Sequence, residues 1–114
     1  MVCQMKFLED MLQQQVFEYL NLVNVFAFHP KASGRKSIQS ALRDKRLGVK
    51  AGIPDVVIIG FDGIARYIEL KTAAGKLSES QKAFRAFCSL HDIPWALCRS
   101  VDEVKGALGS WGLL

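Results

Sequence analysis

The chain has 114 residues, of which 50% are hydrophobic and 23% are charged, so we expect one compact domain over residues 1–114 and exclude a disordered chain. It lacks both an apolar run of the ~20 residues that span a membrane and the basic-then-apolar start of a secretory signal, so we expect no membrane association. The three cysteines form no Cys-x-x-Cys pair, which disfavours a disulfide scaffold or a zinc cage and predicts a cytoplasmic protein.

The net charge of +4 is concentrated in one basic segment, residues 31–50. This segment contains a single acidic residue, Asp44, against seven basic residues: Lys31, Arg35, Lys36, Arg43, Lys45, Arg46 and Lys50. Clustered positive charge attracts a polyphosphate partner, because each neutralised phosphate releases condensed counterions. The charge therefore favours a nucleic-acid partner, and a solvated surface loop is the alternative.

The first half of the chain predicts one long helix and one short strand. Apolar residues at three- and four-residue steps predict an amphipathic helix over residues 4–22. Residues 24–29 alternate and predict a strand that ends at Pro30. The basic segment is expected to be a flexible loop, with a weak helical patch over residues 38–42.

A β-hairpin is predicted next. Residues 54–59 are rich in β-branched side chains and predict a strand, and residues 64–71 predict the returning strand. Between them, Asp62-Gly63 is a turn signal. The two strands are therefore expected to pair in antiparallel fashion.

The last third of the chain contains two helix starts. Ser78 and Gln81 have the spacing of a capping box, which predicts a helix that ends before Pro94. A strand is predicted over residues 95–98, and a second capping box at Ser100 begins a helix to about residue 108. The resulting order, α-β-β-β-α-β-α, predicts an α/β fold with a central mixed β-sheet flanked by helices.

Two acids and a lysine are expected to meet at one end of the hairpin. Side chains alternate along a strand, so Glu69 and Lys71 share a face, and the turn brings Asp55 opposite them. Carboxylate oxygens suit Mg²⁺, so Asp55 and Glu69 would bind this ion, with the backbone carbonyl of Leu70 as a further ligand. Lys71 would lie close to the metal-bound water and stabilise hydroxide, and it could also stabilise negative charge that develops at phosphorus. The alternative is an ion-pair cluster near a strand end.

Five short motifs, in order, carry a family resemblance. They are Glu9 with Gln13, Gly52-Ile53-Pro54-Asp55, Ile68-Glu69-Leu70-Lys71, the Leu-Ser-x-x-Gln-x-x-Phe pattern of residues 77–84, and residues 99–103. Together they resemble the PD-(D/E)XK phosphodiesterase superfamily, which has the restriction-endonuclease-like fold. Within it, the chain looks most like the small stand-alone form of the VRR-NUC (virus-type replication-repair nuclease) family.

The resemblance implies a Mg²⁺- or Mn²⁺-dependent DNA endonuclease that cleaves branched DNA in the manner of Holliday-junction resolvases. It implies a homodimer, in a bacterial cell or a phage-infected host. It assigns metal binding to Asp55 and Glu69, catalytic assistance to Lys71 and a supporting role to Gln81, which its capping role would also explain. Glu9 would bind the metal or orient a metal-bound water, with Glu18 as a substitute for it, or Glu9 would simply lie on a solvated helix face.

The resemblance also gives the basic segment a role in contacting the DNA backbone. The candidate DNA-binding residues are Arg35, Lys36, Arg43, Lys45, Arg46 and Lys50. Backbone contacts predict recognition of DNA shape with weak sequence specificity. Candidate dimer contacts are the aromatic residues of the first strand and the apolar tail: Phe26, Phe28, Trp111, Leu113 and Leu114.

Two other functions remain open from the sequence. One is a non-catalytic nucleic-acid-binding module, in which Asp55, Glu69 and Lys71 form an ion-pair cluster. The other is a restriction-type nuclease that cuts duplex DNA at a specific sequence.

Overall fold

The structure is a computed structural model that describes the backbone of residues 2–30 and 37–114, and the side chains in these ranges from residue 6 onward. The described residues form a four-stranded mixed sheet and four α-helices. In chain order these are α1 (Val2–Leu22), β1 (Ala27–Phe28), α2 (Ile38–Arg46), β2 (Val56–Ile59), β3 (Ala65–Leu70), α3 (Glu79–Leu90), β4 (Trp95–Cys98) and α4 (Val101–Ser110). The predicted α/β fold with a mixed sheet is confirmed.

The predicted element order is wrong at one place, because the basic segment contains the helix α2. The Ser37 side chain caps this helix by accepting the N–H of Ser40 at 3.1 Å. Its last turn carries three cations, which the helix dipole favours: Arg43, Lys45 and Arg46. Because α2 buries little apolar surface, hydrophobic periodicity gave only a weak helical signal there.

Strand β1 is shorter than the six residues predicted. Helix α1 ends in a turn in which Asn24 has a φ of 59° and the Val25 N–H bonds the Leu20 carbonyl oxygen at 3.0 Å. This turn takes up residues 24 and 25, so only Ala27–Phe28 remains in the ladder.

The predicted hairpin is confirmed. Strands β2 and β3 pair in antiparallel fashion from Val56 opposite Ile68 to Ile59 opposite Ala65. Strand β1 pairs antiparallel to β2, and β4 pairs parallel to β3, which gives the order β1-β2-β3-β4. The end of β3 therefore lies between the chain that precedes β2 and the chain that follows β4.

The two faces of the sheet have different environments. One face packs against α1 and α4 and forms the hydrophobic core, with Val16, Leu20, Val56, Ile58, Ile68, Leu70, Val104 and Leu108. The other face lies against α3, where the rings of Tyr67 and Phe84 meet edge to face at 5.0 Å. Glu69 is on the α3 face, two residues from Tyr67, so α3 determines its surroundings.

Among the described helices, none has both the length and the apolar character needed to cross a membrane.

Candidate active site

The carboxylate of Asp55 is bound to strand β3. Asp55 lies one residue before β2, and its Oδ2 accepts the backbone N–H of Leu70 at 2.9 Å. Continuing the register from Val56 opposite Ile68 places Asp55 opposite Glu69. The structure thus brings the two acids together, as the sequence predicted.

A glycine permits the approach of this segment to α3. Gly52 has a φ of 85°, and a Cβ atom there would clash with the Ser80 carbonyl oxygen. No other residue tolerates both the left-handed conformation and this contact. Gly52 therefore lets the chain leading to Asp55 pack on the first turn of α3.

Glu69 is buried and is held by α3. Only 2% of Glu69 is exposed, and its Oε2 accepts Gln81 Nε2 at 3.3 Å. Gln81 Oε1 also accepts the Ser78 N–H at 2.8 Å, which completes the capping box of α3. Gln81 therefore fills its capping role and contacts Glu69 at the same time.

The environment of Glu69 favours its protonated form when no cation is present. Burial, followed by the hydrogen bond and charge of Asp55, raises the pKa of Glu69 to about 9. The charge of Lys71 acts in the opposite direction, and that of Glu9 adds to the increase. The buried carboxyl group of Glu69, next to Asp55, thus needs a nearby positive charge to ionise.

Lys71 follows directly after β3 and lies beside Glu69. Its Nζ is 3.9 Å from Glu69 Oε2, and its side chain is 14% exposed. Its backbone N–H bonds the Cys98 carbonyl oxygen at 3.1 Å, which fixes it to the end of β4. This places one ammonium group at the edge of the pair of acids.

The carboxylate oxygens at this place suit a hard divalent cation that takes only a few of its ligands from the protein. Within the described side chains, no group of three or more His, Cys, Asp and Glu residues is arranged to hold a metal. Mg²⁺, however, commonly binds through one or two carboxylates, and waters and substrate phosphates complete its shell. Asp55 and Glu69 meet that requirement. In a β-strand the N–H and the carbonyl of one residue point to the same edge, and the Leu70 N–H points to Asp55. The Leu70 carbonyl oxygen is therefore compatible with a third contact to such a cation.

Glu9 is close to this site without joining it. It lies on the exposed part of α1, near enough for its charge to raise the pKa of Glu69. Its part in metal binding stays a prediction.

The predicted DNA-binding residues fall into two groups. Arg43, Lys45 and Arg46 are exposed on α2, and Lys50 is exposed in the chain that follows it. The side chain of Asp44 is the one side chain of α2 that is buried. Arg35 and Lys36 lie outside the described residues.

Two contacts near the site were not expected from the sequence. His29 Nδ1 donates to the Asp55 carbonyl oxygen at 2.7 Å, and Arg99 Nη1 donates to carbonyl oxygens in the chain after Lys71. The sequence placed His29 at a strand end and Arg99 in a short motif. Neither contact has a local signal, because each joins residues more than 20 positions apart.

The mixed sheet flanked by helices is consistent with a restriction-endonuclease-like fold, the fold class of a nuclease-type domain. The family model for the VRR-NUC domain matches residues 3–102 of the chain. The chain belongs to the VRR-NUC family.

Solved structures show the same fold. One, titled "VRR_NUC domain", aligns with a TM-score of 0.63 and 16% identity over 90% of this chain and 95% of its own. Another, titled "VRR_NUC domain protein", aligns with a TM-score of 0.64 and 23% identity over 90% of this chain and 85% of its own. A search of curated proteins found no match.

Proposed function

We propose that this chain is a divalent-metal-dependent DNA endonuclease that hydrolyses phosphodiester bonds in branched DNA, of the Holliday-junction-resolvase type. The observation that carries the proposal is the meeting of Asp55, Glu69 and Lys71 at one strand end, with Gln81 on Glu69. An ion-pair cluster alone would not require a second acid beside the buried Glu69, where burial and the Asp55 charge raise the Glu69 pKa.

Each residue has a defined task in this reaction. Asp55 and Glu69 would hold Mg²⁺ or Mn²⁺, which when bound supplies a Lewis acid and activates a water. Lys71 places a positive charge where negative charge develops on the phosphate oxygens. Gln81 holds the Glu69 carboxyl group in its orientation through the 3.3 Å hydrogen bond.

Helix α2 supports DNA as the substrate. Its exposed Arg43, Lys45 and Arg46 are suited to phosphate contacts, and none of them is buried against the rest of the domain. Phosphate contacts position a duplex without reading its bases. This favours recognition of DNA shape, as a branched substrate requires.

A homodimer would supply two matched active sites. One site of this kind cuts one strand, and symmetric resolution of a four-way junction needs two related cuts. Phe28 on the edge strand β1 is 43% exposed, Phe26 just before this strand is 67% exposed, and Leu114 is also exposed. These apolar residues are the candidate contact between protomers, whereas Trp111 and Leu113 pack partly against the core.

The test is a cleavage panel with labelled four-way junction, fork, flap and linear duplex, each with Mg²⁺, Mn²⁺ or EDTA. We expect metal-dependent cleavage of branched DNA. The variant Lys71→Met keeps the apolar stem of the side chain and loses the charge. We expect it to cleave about 10²–10³-fold more slowly, the cost of losing one electrostatic donor to the transition state.

Binding experiments separate the alternatives. Lys71→Met should bind the junction and Mn²⁺ as the wild type does, because Lys71 is not a proposed ligand of the ion. Binding without cleavage under every metal condition would identify a non-catalytic nucleic-acid-binding module. A single cut position in long duplex DNA would identify a restriction-type nuclease.

A further inference from the structure

We propose that Arg99 is a positioning residue for Lys71, acting through the turn of residues 72–75. This inference rests on the proposed function, since it concerns how the catalytic lysine is held. Arg99 follows β4 as Lys71 follows β3, and the two strands are parallel with Leu70 opposite Cys98. The two side chains therefore begin at neighbouring positions at one end of the sheet.

The guanidinium of Arg99 binds the turn that follows Lys71. Its Nη1 donates to the carbonyl oxygens of Thr72 at 2.6 Å and Gly75 at 2.8 Å, and lies 3.4 Å from that of Ala73. The Thr72 oxygen also accepts the Gly75 N–H at 3.0 Å, which closes the turn. A rigid planar cation thus gathers several carbonyl dipoles of one short turn.

The turn of residues 72–75 also packs against the Lys71 side chain. A Cβ atom at Gly75 would lie 3.3 Å from Lys71 Cδ and 3.4 Å from Lys71 Cβ. The Gly75 backbone therefore lies directly against the aliphatic stem of the lysine. If the turn moved, the aliphatic part of the Lys71 side chain would have different space available, and the position of its ammonium group would change.

The other end of the arrangement is fixed by α4. The Arg99 backbone N–H donates to Glu103 Oε1 at 2.8 Å, in the first turn of that helix. The Lys71 backbone N–H meets the Cys98 carbonyl oxygen at 3.1 Å. Because these bonds fix the backbones of Arg99 and Lys71, the Arg99 side chain acts mainly on the position of the turn of residues 72–75.

The test compares Arg99→Met, which removes the guanidinium, with Arg99→Lys, which keeps a donor. We expect Arg99→Met to lower kcat on the junction roughly 10- to 100-fold, as a misplaced catalytic group does. Junction and Mn²⁺ affinities should stay unchanged, and Arg99→Lys should restore part of kcat. Gly75→Ala, which crowds the lysine from the other side, should lower kcat while Arg99 is intact.

A second readout does not depend on cleavage. The rate at which an amine-reactive acetyl ester labels Lys71, relative to Lys105, is measured by mass spectrometry. We expect faster labelling of Lys71 in Arg99→Met and a return toward wild type in Arg99→Lys. If the wild type cleaves no substrate, the proposed function fails, and the labelling still decides whether Arg99 holds Lys71.

The matched control is Arg66→Gln at the opposite end of β3. Arg66 also binds a backbone carbonyl oxygen, that of Ile64, and pairs with Asp62 through its guanidinium. This variant should lose stability without changing kcat or the labelling of Lys71 in the fraction that is folded. Unchanged labelling in Arg99→Met, or an equal loss of kcat in Arg66→Gln, would overturn the role of Arg99.

Discussion

The Oδ2 atom of Asp55 accepts the backbone N–H of Leu70 at 2.9 Å. Leu70 lies between Glu69 and Lys71, so this hydrogen bond joins Asp55 to the strand that carries the other two residues of the candidate site. This bond lies just beyond the last pair of the hairpin ladder, Val56 opposite Ile68. It fixes the distance between the two strand ends at the place where Glu69 and Lys71 lie. Asp55 therefore has a structural role at the candidate site, in addition to its proposed role as a metal ligand.

The first prediction separates those two parts. Asp55→Asn keeps a side-chain oxygen for the Leu70 N–H and loses the negative charge, whereas Asp55→Ala loses both. We expect both variants to lose metal-dependent cleavage. Both variants lose the repulsion between Asp55 and Glu69, so in urea unfolding without metal Asp55→Asn should be at least as stable as the wild type. Asp55→Ala should be less stable than Asp55→Asn by about 1–3 kcal/mol, the cost of the unsatisfied Leu70 N–H.

The control for this comparison is Asp102→Asn, on the exposed first turn of α4. It should leave cleavage unchanged. Wild-type cleavage by Asp55→Asn would remove Asp55 from the metal site.

The second prediction concerns pH. In the folded protein without metal the pKa of Glu69 is raised from 4.5 to about 9. The folded state then keeps a proton that the unfolded state releases, so its stability is greatest below pH 4.5 and falls as pH rises toward 9. We expect lower urea midpoints at pH 8 than at pH 5 in EDTA, and Glu69→Gln should reduce this difference.

Added Mn²⁺ should reverse the trend, because a bound cation favours the ionised carboxylates. Glu79→Gln is the control, since the Glu79 side chain is 93% exposed on the same helix that covers Glu69. An equal pH dependence in wild type and Glu69→Gln would contradict the assigned cause.

The third prediction concerns helix α2. Replacing Arg43, Lys45 or Arg46 by Gln should weaken junction binding without changing kcat at saturating protein. The slope of log K against log salt should fall by about one for each phosphate that the variant no longer neutralises. Lys105→Gln removes the same charge from α4, on the opposite face of the sheet from Glu69, and should leave the slope unchanged. A slope that no α2 variant alters would exclude this helix from the DNA interface.

The fourth prediction compares two glycines with similar backbone angles. Gly48 has a φ of 91° with nothing within 4 Å of a Cβ atom, whereas at Gly52 a Cβ atom would meet the Ser80 backbone. Gly48→Ala should cost only the backbone strain, about 1–3 kcal/mol. Gly52→Ala should cost more and should lower cleavage, because the clash moves Asp55. Equal losses of stability, measured by thermal unfolding, would show that the contact with α3 is unimportant.

The hairpin was predictable because its signals are local. The turn residues Asp62 and Gly63 lie between the β-branched run of residues 56–59 and the returning segment of residues 64–71, and the alternation of side chains then gives the register. Helix α2 was underestimated for the opposite reason. Its stabilising features are the Ser37 cap and basic last turn rather than an apolar face, and hydrophobic periodicity does not detect these.

The sequence alone therefore determined which chemical groups the site could contain: two acids and a lysine spaced so that one hairpin brings them together. Tertiary structure decided their state and their supports. The burial of Glu69 beneath α3, its contact with Gln81 and the binding of the 72–75 turn by Arg99 all join separate elements. Such contacts depend on how the elements pack, and packing is set by the whole fold rather than by any short run of residues.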